Sequence, residues 1–167
     1  EVKFSPEQHR IDFHVAAQAG ADYACPACGA ADTALHDRNA RSWRHLDFFQ
    51  YEAYLHAEVP RVKCAHCGKV SQVEVPWARP GSRFTLLFEA LAVGLAPRLS
   101  VAGLARQLRV GDDPLWRILH HHVRTARRRE SHAGVELVGV DETAAKRGQK
   151  YLSVFFDLNA DRLLYAT

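Results

Sequence analysis

The chain has 167 residues, of which 47% are hydrophobic and 25% are charged. This composition excludes an intrinsically disordered tail, and no apolar run approaches the roughly 20 residues that a membrane-spanning helix needs. The N-terminus carries no signal-peptide pattern, so we expect a cytoplasmic protein with no membrane partner. The chain begins at Glu1 and contains no methionine, which predicts a processed, trimmed or incomplete copy of a longer gene product.

The net charge of +3 is unevenly distributed. Residues 84–133 hold eight arginines and no lysine against four acidic residues, whereas residues 1–83 hold ten basic and ten acidic residues. Arginine is suited to bidentate contacts with phosphate groups and guanine bases. The middle third is therefore a candidate surface for a polyanion, although many helices carry arginine on a merely solvated face.

The four cysteines form two Cys-x-x-Cys-Gly units, which begin at Cys25 and at Cys64. Two such turns facing each other supply the four thiolates that a tetrahedral Zn²⁺ site prefers. Disulfides would require an oxidising compartment, and no βαβ pattern typical of a thioredoxin-like redox pair surrounds either unit. The sequence therefore predicts a structural zinc ion with these ligands: Cys25, Cys28, Cys64 and Cys67.

The segment between the cysteine pairs, residues 29–63, is longer than a usual zinc-ribbon insert. Its pattern predicts two strands, 42–48 and 51–59, with Pro60 separating the second strand from the second cysteine turn. Residues 1–80 are thus predicted to form a zinc ribbon with a β insertion. Three nearby histidines are expected on the surface or behind the ligands, because four thiolates complete the zinc shell: His36, His45 and His66.

Residues 81–133 carry a helical pattern in three parts. Apolar residues at helical spacing predict a helix that ends before Pro97, and Ser100 caps a short second helix over 101–108. After a glycine-containing turn, Asp113 is the predicted N-cap and Pro114 the first residue of a third helix. A short helix, a turn and a longer arginine-bearing helix form the helix-turn-helix plan, whose last helix enters the major groove of DNA.

The third helix is predicted to turn Leu115, Ile118 or Leu119, Val123 and Ala126 inward. The helical pattern leaves open an alternative, a small bundle whose arginine face is only solvated. A metal site at the three consecutive histidines 120–122 is not expected, because consecutive helical residues point in different directions. In the helix-turn-helix interpretation, the candidate DNA-binding residues are Trp116, Arg117, His120, His121, Arg124, Arg127 and Arg128.

Residues 134–167 are predicted to form three strands, 135–143, 151–158 and 162–167, with a hairpin turn between the last two. The first strand ends in two acids, Asp141 and Glu142. A carboxylate at the end of a central strand, followed by antiparallel hairpins, is typical of the start of an RNase H-like nuclease domain. An aspartate after a strand is also common in ordinary loops, so the residues alone leave both interpretations open.

Taken together, these segments resemble insertion-sequence transposases of the ISL-three family, a DDE class. The resemblance extends from about Tyr23 to the C-terminus, and its last motif is the most specific. The motifs are Cys25-Pro-x-Cys-Gly, Trp43-Arg-His-Leu-Asp, Pro60-Arg-Val-Lys-Cys-x-x-Cys-Gly, Val75-Pro-Trp-Ala-Arg, Gly81-Ser-Arg-Phe-Thr, Leu115-Trp-Arg-Ile-Leu and Val138-Gly-Val-Asp-Glu-Thr-x-x-Lys-Arg-Gly-x-Lys-Tyr.

The resemblance implies an α+β chain with a zinc ribbon, a helix-turn-helix domain at 81–133 and the first strands of an RNase H-like catalytic domain at 134–167. It implies that Asp141 is catalytic, the first carboxylate of the DDE set, and a ligand of Mg²⁺. Asp157 lies mid-hairpin and is expected to be structural, while Glu142 should leave the strand on the opposite face. The other two acids come from later elements, so the chain as given is expected to be catalytically incomplete.

The resulting prediction is the DNA-binding part of a transposase, which binds double-stranded DNA at transposon ends and, when intact, cuts and joins strands with Mg²⁺. Lys146, Arg147 and Lys150 are candidate contacts to the DNA backbone. A homodimer or larger assembly at the bacterial nucleoid is expected by analogy, because two ends must meet. The alternatives are a zinc-ribbon transcription regulator that only binds DNA and a zinc-stabilised interaction scaffold.

Overall fold

A computed structural model describes residues 1–18, 20–146 and 150–167, without the side chains of residues 145, 146 and 150. Its elements form two compact units, Glu1–His121 and His122–Thr167. The predicted division into three domains, with boundaries after residues 80 and 133, stays a prediction. The elements are β1 (Val2–Ser5), β2 (Arg10–Val15), β3 (Thr33–Arg44), β4 (Glu52–Cys64), β5 (Val70–Gln72), α1 (Leu86–Leu95), α2 (Val101–Leu108), α3 (Asp112–Arg127), β6 (Val138–Lys146), β7 (Lys150–Asp157) and β8 (Arg162–Ala166).

The sheet of the first unit is organised around β4. This strand pairs with β3 in antiparallel fashion over nearly its whole length, and β5 joins it beside Cys64. On its other edge, β2 pairs with β4 in parallel, and β1 pairs with β2. The two predicted strands of the insertion are thus present but longer, and β1 and β2 had not been predicted.

Pro60 lies inside β4, so the prediction that it separates this strand from the second cysteine turn is wrong. Beside it, β2 covers residues 52–57 and β5 covers residues 61–63, so Pro60 falls in the gap between two neighbouring strands. Its carbonyl still accepts a hydrogen bond from the Val73 N–H at 2.9 Å. A residue without an N–H donor is tolerated there because no ladder bond is lost.

The helices α1 and α2 occupy the predicted segments, and each has a side-chain N-cap. The Thr85 hydroxyl accepts the Phe88 N–H at 3.3 Å, and the Ser100 hydroxyl accepts the Gly103 N–H at 3.2 Å. These caps satisfy N–H groups that have no partner within the helix.

Helix α3 begins at Asp112, so Asp113 lies within the helix and is not its N-cap. Pro114 then falls in the first turn, where its missing N–H costs no helical hydrogen bond. The prediction that Val123 and Ala126 face inward is also wrong, because both are exposed. Only the first half of α3 meets the short helices α1 and α2, so the buried core contains Phe88, Ala92, Leu104, Ala105, Leu108, Leu115 and Ile118.

The second unit contains an antiparallel sheet in the order β6-β7-β8. Val138 pairs with Asp157, the last residue of β7, so β6 begins three residues later than predicted. Asp141 consequently lies within β6 rather than at its end, and β6 is an edge strand of the described sheet rather than a central one. Three strands do not define an RNase H-like core, which stays a prediction.

Asp157 is a structural residue, as the sequence analysis expected. It is 4% exposed, and its Oδ1 accepts the N–H groups of Asn159 at 3.1 Å and Ala160 at 3.2 Å. These bonds fix the predicted turn between β7 and β8.

Candidate zinc centre and nucleic-acid interface

The four cysteines meet at one point in the first unit. Their ligand atoms all lie within 4.8 Å of one another. The Sγ atoms of Cys25 and Cys67 are 3.8 Å apart, and those of Cys28 and Cys64 are 3.7 Å apart. Four sulfurs at about 2.3 Å from one Zn²⁺ ion are about 3.8 Å apart in a tetrahedron. The cluster therefore fits a structural zinc, and His36, His45 and His66 do not belong to it.

Each cysteine turn has the same local geometry. Gly29 and Gly68 have φ of 76° and 71°, the left-handed region that favours glycine. Their N–H groups donate to the carbonyls of Cys25 at 2.8 Å and Cys64 at 3.0 Å, closing both turns. Burial raises the pKa of Cys25, but hydrogen bonds from the backbone at Ala27 and Cys28, together with those from the thiols of Cys28 and Cys67, outweigh this and bring the pKa to about 7. A sulfur held in this way is ready to bind metal as a thiolate.

The ribbon is joined to the helices through Arg44, which is only 4% exposed. Its N–H donates to the Arg83 carbonyl at 2.8 Å, and its own carbonyl accepts the Thr85 N–H at 3.0 Å. The guanidinium donates to Asp47 and to the His45 carbonyl, and lies 5.6 Å from the ring centroid of Phe88 on α1. Ribbon and helices therefore share a backbone connection and a buried arginine.

His45 adds a polar contact at the same joint. Its Nδ1 lies 2.9 Å from the Thr85 hydroxyl, which caps α1. Burial, together with the charge of Arg44, lowers the pKa of His45 and favours the neutral ring. The Trp43-Arg-His-Leu-Asp motif is thus a structural joint rather than a set of metal ligands.

A second buried link runs from the loop before α1 to α1 itself. Glu89 is fully buried, and its Oε2 accepts the Arg79 Nε at 2.9 Å while its Oε1 accepts the Ser82 hydroxyl at 2.6 Å. On the ribbon side, Trp77 packs edge-on against Trp43 with ring centroids 5.6 Å apart. The motifs around Val75 and Gly81 therefore place the helices against the ribbon.

The turn between α2 and α3 is attached to the ribbon by Arg109. This residue ends α2 with φ of 55°. Its guanidinium donates to Asp47 and to the Gln50 carbonyl, the latter at 3.0 Å, and its Nε lies 3.7 Å from Glu52. The ribbon thus fixes the position of the helix-turn-helix turn.

The exposed face of α3 carries the first four predicted DNA-binding residues. Leu115 and Ile118 anchor the helix in the core, and Trp116 is 48% exposed with its ring 5.6 Å from His120. Arg117 and His121 are also exposed, and His121 makes interactions within the protein. The core thus fixes one side of α3 and leaves an arginine, an indole and two imidazoles on the other.

The three later arginines belong to the second unit. Arg124 and Arg128 are exposed, and Arg128 follows the last residue of α3. Arg127 instead donates to the Leu164 carbonyl and lies 3.4 Å from Glu130. Arg127 therefore has structural contacts within its own unit besides any contact with DNA.

Asp141 is exposed on β6, and its Oδ1 accepts the Glu142 N–H at 2.9 Å. Lys146 ends β6, but its side chain, the side chain of Lys150 and residue Arg147 lie outside the described part of the chain. Across the described residues, the only group of three or more metal-ligating side chains is the four-cysteine cluster. Asp141 thus belongs to no group of three metal-ligating side chains among the described residues.

Two family models match the first unit, one over the zinc ribbon and one over the helices. Residues 23–67 match the zinc-finger of transposase IS204/IS1001/IS1096/IS1165, and residues 73–123 match the helix-turn-helix domain of transposase family ISL3. The chain belongs to the ISL3 family of transposases. The predicted family, its zinc ribbon and its helix-turn-helix are confirmed.

Curated relatives of this ISL3-family chain are transposases. It is 34% identical over 149 residues to the transposase for insertion sequence element IS1557 of Mycobacterium tuberculosis, covering 85% of this chain and 32% of that relative. It is 26% identical over 133 residues to the transposase for insertion sequence element IS1001 of Bordetella parapertussis, covering 80% of this chain and 33% of that relative. The chain spans about a third of the length of these relatives. No solved structure matches it significantly.

A polar cluster on the sheet of this ISL3-family chain was not predicted from the sequence. His56 Nε2 lies 2.5 Å from Asp12 Oδ1, and its Nδ1 lies 2.7 Å from the Ser42 hydroxyl. Arg10 donates to both oxygens of Asp12. Burial alone would raise the pKa of Asp12, but the bonds from Arg10 and His56 hold it below its usual value. This cluster joins β2 to β4.

None of the helices in the described part of the chain is long and apolar enough to span a membrane.

Proposed function

We propose that this chain recognises the ends of an insertion element for a DNA transposase. The exposed Trp116, Arg117, His120 and His121 face of α3 carries the proposal, because in a helix-turn-helix this helix enters the major groove. The family match and the fixed position of the turn support it. We assign phosphate contacts to Arg124, Arg127 and Arg128, with Lys146 and Arg147 as further contacts to the backbone.

Selection from a random pool of duplexes, followed by salt titration, tests this assignment. Arg117→Ala should relax sequence preference at one position and weaken binding to the selected site by about 1–3 kcal/mol, if it contacts a base edge. Arg128→Ala should weaken binding to all sequences alike and lower the salt slope by about one. Arg98, exposed beyond α1, gives a matched control for lost charge, since Arg98→Ala should leave sequence preference unchanged. Unaltered affinity in both test variants would show that α3 does not read DNA.

We further propose that Asp141 is the first carboxylate of a DDE catalytic set in the intact enzyme. Its exposed carboxylate provides oxygen ligands of the type that Mg²⁺ prefers, although among the described residues it belongs to no group of three or more metal-ligating side chains. When bound, such an ion would supply activation of water, and then of a DNA 3′-hydroxyl, for in-line attack on phosphodiesters. The part of Asp141 is to fix the cation beside the scissile phosphate.

Donor cleavage and gel-shift affinity, measured side by side on the intact enzyme, test this role. Asp141→Asn should abolish cleavage and strand joining while leaving end binding nearly intact, because affinity arises from arginines summed over many phosphates. Glu142→Gln is the matched control, since neighbouring strand residues point to opposite faces. An Asp141→Asn enzyme that still cuts with Mg²⁺ would refute the assignment and place the metal site on another residue. An intact wild-type protein that binds the ends but never cuts them would instead favour a protein that only binds DNA.

We also propose that the intact transposase works at the bacterial nucleoid as a dimer or larger assembly, since two transposon ends must meet. Sedimentation of the enzyme with and without end DNA tests this. A single copy on paired ends would refute it.

A further inference from the structure

The hairpin between β3 and β4 ends in two exposed aromatic residues, Phe48 and Phe49, which we call the aromatic tip. Phe48 is 55% exposed and Phe49 is 83% exposed. Their rings contact each other edge-on, with centroids 4.9 Å apart. The tip therefore presents a joined apolar surface to its surroundings instead of contributing to either buried core of the first unit.

Folding alone does not account for Phe49. Phe48 and Tyr51 exchange backbone hydrogen bonds of 2.9 and 3.1 Å, so Phe49 and Gln50 form a two-residue turn. Phe49 has φ of 53°, a conformation that glycine or asparagine adopts at much lower cost than a bulky side chain. Its exposed ring gains little from burial. Phe49 therefore costs free energy twice, through its strained backbone conformation and through the exposure of its apolar ring to water. A residue kept at such a cost indicates a binding role.

The tip is held beside the helix-turn-helix turn. Arg109, between α2 and α3, donates to the Gln50 carbonyl at 3.0 Å and to Asp47. The tip thus lies within the reach of one arginine side chain from the turn. In a helix-turn-helix bound to DNA, the helix before the turn crosses the phosphate backbone while the helix after it enters the major groove. A feature fixed to the turn is therefore carried to the same duplex.

The charge around the tip is compatible with a polyanion. Asp47, the acidic residue of the hairpin end, is paired with both Arg44 and Arg109. Glu52 lies 3.6 Å from Arg44 and 3.7 Å from Arg109. Both carboxylates near the tip are thus compensated, so they offer little repulsion to an approaching phosphate.

We infer that the aromatic tip is a second DNA contact, in which Phe49 inserts between base pairs of the minor groove next to the segment that α3 reads. Apolar side chains such as phenylalanine act in this way in architectural DNA-binding proteins, where they unstack a base step and kink the duplex. This inference rests on the proposed recognition of DNA by α3. It adds a mode of binding that detects how easily a base step deforms rather than its hydrogen-bonding groups.

Fluorescence of 2-aminopurine tests the insertion. The zinc-loaded chain is used to select a duplex from a random pool, and the probe base is then placed at successive steps beside the selected sequence. The wild-type chain should raise the fluorescence at one step, because unstacking relieves quenching. Phe49→Gly should abolish this rise and weaken binding about tenfold. The same change should leave the thermal midpoint equal or higher, because glycine relieves the strained φ.

Two variants are controls. Phe49→Trp keeps an aromatic wedge and should retain the fluorescence rise. Leu35→Ala removes an exposed apolar side chain, 52% exposed, at the other end of β3, and should change neither signal nor affinity.

Three results would overturn the inference. The first is a Phe49→Gly variant with wild-type affinity and fluorescence. The second is a variant whose thermal midpoint falls, which would make the tip a structural element. The third is a wild-type dimer that Phe49→Gly converts to a monomer, which would make the tip a contact between copies. A wild-type chain that selects no duplex would instead refute the proposed function, and this inference with it.

Discussion

The substitution Glu89→Gln tests how strongly the buried ion pair holds α1 in place. Glu89 is fully buried and accepts hydrogen bonds from Arg79 and Ser82. Removing one partner of a buried ion pair costs about 3–5 kcal/mol, because the other charge is left uncompensated. Glutamine keeps the shape and one acceptor, and the Arg79 side chain is 23% exposed, so water compensates part of the loss. We therefore expect the free energy of unfolding to fall by about 2–3 kcal/mol.

Urea unfolding of the zinc-loaded chain measures this loss. Far-UV circular dichroism follows the helices, and intrinsic fluorescence in a Trp116→Phe background follows Trp43 and Trp77 on the ribbon side. Both signals should shift together, because Arg79 precedes the helices while Glu89 lies on α1. A double-mutant cycle with Arg79→Met should show that most of the loss belongs to the pair.

The ion pair of Asp37 and Arg61 provides the control. It has the same side-chain chemistry on the surface of β3 and β4, but both side chains are 41% exposed. Asp37→Asn should therefore cost much less, since water screens the charges. The reasoning is refuted if Glu89→Gln destabilises the protein no more than Asp37→Asn does.

Three further predictions concern the first unit. Cys64→Ser, or a strong chelator, should unfold the ribbon and also lower the stability of the helices that Arg44 and Arg109 attach to it. Elemental analysis should find one zinc per chain. A circular dichroism spectrum that does not change in chelator would contradict this prediction. Asp12→Asn should destabilise the protein by about 1–3 kcal/mol at pH 7. Folding lowers the pKa of Asp12, so the stabilisation that its carboxylate provides is present above about pH 4 and is lost as pH falls through the folded pKa. A destabilisation by Asp12→Asn that is equal at every pH would be contrary evidence. Gly94→Ala on α1 should stabilise the protein by about 0.4–1 kcal/mol, whereas Gly68→Ala at φ 71° should destabilise it, as thermal unfolding would show.

Local signals predicted the local parts of this fold. The second helix has the predicted bounds because Ser100 caps it and its apolar residues repeat at helical spacing. The four cysteines were identifiable because two identical turns give one metal site by their spacing alone. The turn after β7 was predicted from residues within a few positions of Asp157.

Features that depend on distant partners could not be predicted in this way. Strand β2 carries a strand pattern of its own, since Ile11, Phe13 and Val15 alternate with polar residues, and the prediction overlooked it. What no local pattern could show is that β2 pairs in parallel with β4, about 40 positions later. The start of β6 depends on where β7 ends, and the exposure of Val123 depends on the short length of α1 and α2. Arg44 stood in a family motif but had no predicted partner, and Arg109 belonged to no motif; only the packing of the ribbon against the helices shows what these two arginines bind.

The hairpin of β1 and β2 has a practical consequence for anyone preparing fragments of this ISL3-family chain. The family match begins at residue 23, which invites a shortened chain that starts there. Such a chain would lack the strand that covers residues 52–57 of β4 and would leave their backbone N–H and carbonyl groups unpaired. Uncovered strand edges recruit other strands, so the shortened ribbon should aggregate or exchange strands between copies even with its zinc in place.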